Sequence, residues 1–102
     1  MIVFFYVPVP SLEEAKALTR TVTQEGLAAC GNIHGPIISI YEWKGNVHEE
    51  KEFVVILKTT REKTEPLRSR IADRHPYECP CIASWEANSS VPFADWVKDQ
   101  IR

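Results

Sequence analysis

The sequence predicts an α+β domain in which two helices pack on one face of a four-stranded antiparallel sheet and a third helix follows. Three observations predict it. Extended apolar runs alternate with stretches whose apolar residues recur at helical spacing. A capping box opens the first helical stretch. Two long extended arms meet at a short turn, as in a hairpin. The resulting order, β-α-β-β-α-β and then α, is the split βαβ arrangement.

Ile2 to Val7 is continuous, β-branched and aromatic, the pattern of a strand buried on both faces. Pro8 and Pro10 end it. Ser11 is a good N-cap with Glu14 three residues later, and Leu12, Ala15, Leu18 and Val22 follow on one stripe. Gly26 suits the position just past the helix end, so residues 11–25 are predicted helical. Leu27 to Cys30 resumes an extended run that Ile33, Ile37, Ile38, Ile40, Tyr41 and Trp43 carry on. Gly35-Pro36 interrupts this arm and predicts a bulge or bend. Lys44-Gly45-Asn46 is the turn, and the second arm runs through Glu52 to Thr59. Both arms exceed the usual strand of about 5–6 residues. A small domain cannot cover such a hairpin, so its surplus requires a partner or stays exposed.

Thr64-Glu65-Pro66 opens a second helix, with Leu67, Ile71 and Ala72 as its apolar stripe. His75-Pro76 ends it, because a residue before proline avoids the α region. Cys81 to Ala87 reads as the last strand. Pro92 begins the last helix, with Phe93, Trp96, Val97 and Ile101 directed inward.

The chain has 102 residues, one domain's worth, with 44% hydrophobic and 25% charged residues, as in an ordinary globular protein. A formal net charge of −2 gives no basic excess for a nucleic-acid partner. Met1 leads straight into an apolar run with no basic segment before it, which predicts no secretory leader. That run is too short to span a bilayer, which takes about 20 residues. Three cysteines argue against a disulfide framework and predict reduced thiols and a cytoplasmic protein.

Several segments carry a resemblance. Leu27-Ala28-Ala29-Cys30 with Asn32-Ile33, Ser39-x-Tyr41-x-Trp43-x-Gly45, Glu52, Lys58-Thr59-Thr60, His75-Pro76-Tyr77-Glu78 with Pro80, and Trp96 follow one another in order over residues 2–98. Together they resemble the CutA divalent-cation tolerance family. The resemblance implies a ferredoxin-like fold similar to PII signal proteins, assembled as a homotrimer with the hairpins paired edge to edge. It also implies a role in tolerance to divalent cations, copper among them. One position departs: Cys81 stands where the family usually has glutamate, so no role of that carboxylate carries over. Phe93 stands where the family often has tyrosine.

The candidate metal ligands are Cys30, His75, Cys79 and Cys81. Cys79 and Cys81 are two apart, and in an extended segment they point to one side. With His75 they offer the soft donors that suit Cu(I) or Zn(II). The other reading makes Cys81 a small buried hydrophobe, Cys79 a loop thiol and Cys30 an inert core cysteine. His75 is either a ligand or a favourable charge at a helix end. His48 to Glu52 reads as a solvated hairpin arm, and Arg61, Lys63, Arg68, Arg70 and Arg74 as a solvated basic face. Tyr41, Trp43 and Tyr77 line an intersubunit cleft or pack at an interface. No phosphate loop, Ser/His/Asp constellation or paired-carboxylate motif is present.

The expectation is therefore a non-enzymatic homotrimer that binds copper or another divalent cation, with no nucleic-acid or membrane partner. Two other classes stand beside it. One is a PII-like signalling or scaffold trimer with a small ligand or protein partner in its clefts. The other is a cysteine-dependent enzyme using Cys30 or Cys81 with His75.

Overall fold

A computed structural model describes residues 1–102. The elements are β1 Ile2–Val9, α1 Leu12–Gln24, β2 Cys30–Trp43, β3 Asn46–Thr59, α2 Thr64–Arg74, β4 Ala83–Ala87 and α3 Val91–Gln100. A 3₁₀ turn, Arg61–Lys63, leads into α2. The sheet order is β2-β3-β1-β4, and every neighbouring pair is antiparallel. This is the predicted ferredoxin-like α+β fold.

α1 begins as its sequence requires. The Ser11 hydroxyl accepts from the Glu14 amide at 3.1 Å, and two glutamates fill the first turn against the helix dipole. Ala15, Leu18 and Val22 are buried. The chain then turns at Gly26, whose φ is +73°. Leu27 and Ala28 both donate backbone hydrogen bonds to the Val22 carbonyl. The helix end therefore claims these two residues, and β2 starts only at Cys30, later than expected.

Val3, Phe5, Val7 and Val9 of β1 face α1 and α2 with Val55 and Leu57 of β3, forming the main core with Leu67 and Ile71. Ala72 lies outside this stripe and is exposed. The alternate residues of β1 reach the other sheet face, where Tyr6 is exposed and Phe4 half-buried. The strand is therefore not buried on both faces as its composition predicts. α3 covers only one end of that second face, with Ile2, Ala29 and Val97 at its centre. Trp96, expected to point inward, is exposed and stacks on Phe93, while Phe93, Val97 and Ile101 form the inward face of α3.

The hairpin closes with Lys44 at φ +51° and Gly45 at φ +84° between the paired Trp43 and Asn46. Two positive φ values are the signature of a type I′ turn, whose twist matches the strands. At Gly35-Pro36, joined by a cis peptide, the register passes from His34 opposite Val54 to Ile37 opposite Glu52. β2 advances by three residues while β3 recedes by two, which is a β-bulge.

Three of the five basic residues around α2 are clamps rather than a solvated face, while Lys63 and Arg74 form no ion pair. Arg68 donates to the Ile82 carbonyl at 2.5 Å and the Ser84 hydroxyl at 2.6 Å. Arg70 forms a two-pronged pair with Glu25 at 2.8 Å, which holds the Glu25 carboxyl below its ordinary range. Arg61 reaches Glu86 at 2.6 Å. Together these tie α2 and its lead-in to β4 and to the end of α1.

Candidate functional site

The bulge builds the site. Before it, the even positions of β2 share a sheet face with the even positions of β3; after it, the odd positions do. Tyr41 and Trp43 therefore come to the face that carries Glu52. Pro8 reaches the same face from β1. The segment after α2 folds over this ground, and a cleft of about 430 Å³ results. It is lined by Pro8, Tyr41, Trp43, Glu52, Pro76, Tyr77, Glu78, Cys79 and Cys81.

Glu52 sits at its base, 8% exposed, and accepts a 2.6 Å hydrogen bond from the Tyr77 hydroxyl. Burial, and then this bond, push the Tyr77 phenol well above the ordinary tyrosine range. Tyr41 donates likewise to Glu50 and stacks on His48 with ring centroids 5.3 Å apart. Its phenol is raised too, chiefly by the hydrogen bond to Glu50. Both phenols are thus held as neutral donors to carboxylates. The charged arm from His48 to Glu52 is solvated only in part, because its last residue is a buried member of the cleft.

His75 stands behind the wall. Its Nε2 lies 2.8 Å from the Pro8 carbonyl, and its Nδ1 accepts from the Tyr77 amide at 3.2 Å. A carbonyl partner requires a proton on Nε2, and an amide donor requires a bare Nδ1. The ring therefore pins the loop to β1 with both nitrogens engaged. Cys79 and Cys81 are free and exposed, and both line the cleft. They lie in irregular chain ahead of β4, so strand alternation is not what brings them together. Cys30 is half-buried and pairs with Lys58 on β3. Six residues of strand separate Lys58 from Glu52, roughly 20 Å. Of the four predicted ligands, the fold brings Cys79 and Cys81 to one cleft, places His75 beside it and keeps Cys30 apart. No three His, Cys, Asp or Glu side chains of the chain are gathered to hold a metal ion. His75 is not paired with Cys30 or Cys81 as a catalytic thiol would require, since both its nitrogens have other partners.

Sequence reasoning passed over Glu52 as a buried residue. The signal was present: it is the acidic residue of the arm that directly adjoins the apolar run Phe53 to Leu57.

Comparison with known proteins decides the family. The model of the CutA1 divalent ion tolerance protein family matches residues 3–100. The chain belongs to this family. It is 39% identical to the chloroplastic protein CutA of Arabidopsis thaliana over 98 residues, 95% of this chain and 54% of that one. It is 35% identical to the divalent-cation tolerance protein CutA of Archaeoglobus fulgidus over 96% of both chains. A solved structure of the periplasmic divalent cation tolerance protein CutA from that archaeon superposes with a TM-score of 0.95 at 35% identity, covering all of both chains. This CutA1-family chain thus spans about half of the plant relative and nearly all of the archaeal one. No helix in it is long and apolar enough to cross a membrane.

Proposed function

We propose that this chain serves divalent-cation tolerance as a cytoplasmic homotrimer that binds a soft or borderline cation through Cys79 and Cys81. The observation that carries the reading is the placement of two free, exposed thiols, two residues apart, on the wall of one cleft. Thiolates favour Cu(I) and Zn(II) over Mg(II). Cys81 replaces the glutamate usual in the family, so the cleft is softer than a carboxylate would make it. Two thiolates leave coordination positions for water or for a donor from a second subunit. Cys30 and His75 are outer members of this proposal: Cys30 belongs to another part of the sheet, and His75 would have to release the Pro8 carbonyl or the Tyr77 amide. Trimer assembly is supported by the exposed apolar residues of the hairpin, Ile38, Ile40 and Val47 among them.

Isothermal titration of the reduced protein with Cu(I), Zn(II) and Mg(II) tests the reading. Cu(I) and Zn(II) are expected to bind at least tenfold more tightly than to a Cys79→Ser/Cys81→Ser variant, with Cys81→Glu in between. Affinity falls on acidification, because binding releases thiol protons. Equal affinity in all three proteins overturns it. A second reading, a PII-like trimer that binds a small ligand or protein partner in its clefts, is favoured by the three aromatic side chains on the same wall.

A further inference from the structure

We infer that the cleft also holds a small organic ammonium cation, gripped by Tyr41, Trp43 and Tyr77 and neutralised by Glu52. Three features of the lining point to this ligand class. Three of the nine lining residues are aromatic, and their electron-rich faces attract cations. Two more, Glu52 and Glu78, carry carboxylates, and no lysine, arginine or histidine lines the cleft. The base of the cleft is therefore anionic and its walls are aromatic, a combination that repels phosphates and carboxylates.

Glu52 is the second, independent observation. It is more than nine-tenths buried, yet only one of its two oxygens has a partner, the Tyr77 hydroxyl. No basic side chain forms an ion pair with it. A buried carboxylate without a counter-charge is costly, and a cation in the cleft supplies the missing partner. The ring of Trp43 already attracts one ammonium: Lys44 Nζ lies 5.8 Å from its centroid, from outside the cleft lining. A volume of about 430 Å³ falls within the ordinary size of small-molecule sites, roughly 300–1,000 Å³. An alkylated ammonium suits the aromatic wall better than a hard metal ion. Its methyl groups lie against aromatic rings, whereas hard cations seek several oxygens in a closed shell.

Choline and its uncharged isostere 3,3-dimethylbutan-1-ol are the probes. Both are titrated calorimetrically into the intact protein in EDTA, and into the Cys79→Ser/Cys81→Ser variant. Choline is expected to bind at least tenfold more tightly than the isostere, and equally well to the thiol variant. That equality separates this site from the metal reading, which the thiol variant abolishes. Glu52→Gln, which keeps an oxygen for Tyr77, is expected to weaken choline about tenfold, which is roughly 1.4 kcal/mol. Glu78→Gln, at an exposed position, lowers it by a smaller factor. In a Trp85→Phe/Trp96→Phe background, choline shifts the fluorescence of Trp43. Equal binding of choline and the isostere, or choline affinity unchanged by Glu52→Gln, overturns the proposal. So does a cleft that takes up no choline, as when a lysine of a second copy already fills it.

Discussion

At the scale of single residues, the hydrogen bond between Tyr77 and Glu52 joins the loop after α2 to the middle of β3. A bond to a carboxylate is worth about 1.5–3 kcal/mol when its surroundings are dry. Tyr77→Phe is expected to lower stability by about 1–2 kcal/mol at neutral pH, read from urea unfolding. The pH dependence has a definite sign. The folded-state pKa of Tyr77 is raised above its ordinary value of 10, so the folded chain holds this proton more tightly than the unfolded chain. Its contribution is complete below pH 10 and is lost as pH rises through the folded value. The wild-type protein should lose stability progressively as pH rises above 10, and Tyr77→Phe should flatten that decline. An identical slope in the two proteins would exclude this assignment.

At the scale of elements, α1 packs tightly on β2 at Gly31. A Cβ there would come within 2.7 Å of the Thr19 methyl and 2.8 Å of Leu57 Cδ2. Leu57 is wholly buried and has no room to retreat. Thr19 is also held, since its hydroxyl donates to the Ala15 carbonyl at 2.7 Å. Gly31→Ala should therefore destabilise by about 1–3 kcal/mol through overpacking, visible as a lower urea midpoint. An unchanged midpoint would mean that the helix slides freely on the sheet. The hairpin contrasts with this packed end. Its far half carries no helix, and the bulge at Gly35-Pro36 divides its side chains: Tyr41 and Trp43 go to the cleft, while Ile38, Ile40 and Val47 go to the opposite face.

At the scale of the whole molecule, the hairpin draws the chain out to 45 Å along its longest axis against 24 and 21 Å across. Ile38 is 57% exposed, Ile40 66% and Val47 73%, a cluster of apolar residues on long paired strands that one chain leaves uncovered. Such a surface marks an interface. Light scattering is expected to report about three times the 11.7 kDa of one chain at micromolar concentration. Ile38→Lys/Ile40→Lys should shift the particle to a single chain while its far-UV dichroism stays that of a folded α+β domain. A wild-type particle of one chain's mass would defeat the trimer.

The strand and helix order was legible in the sequence because local signals agree with the final packing. Ser11 with Glu14, the apolar stripe of α1, the Lys44-Gly45 turn and the break at His75-Pro76 each act over a few residues, and each appears where its chemistry places it. The family was legible for a related reason, since its motifs keep their order along the chain. The candidate site was legible only in part. Tyr41, Trp43, Tyr77, Cys79 and Cys81 were singled out by type, but which of them meet depended on tertiary structure. One extra residue at Gly35-Pro36 decides which side of β2 faces Glu52, and a register shift of one cannot be read from composition. The same holds for His75, whose ring nitrogens are taken by a carbonyl 67 positions earlier and an amide two positions later. Burial of Glu52, engagement of His75 and separation of Cys30 from the other thiols follow from contacts between distant segments. Only the folded chain brings those segments together.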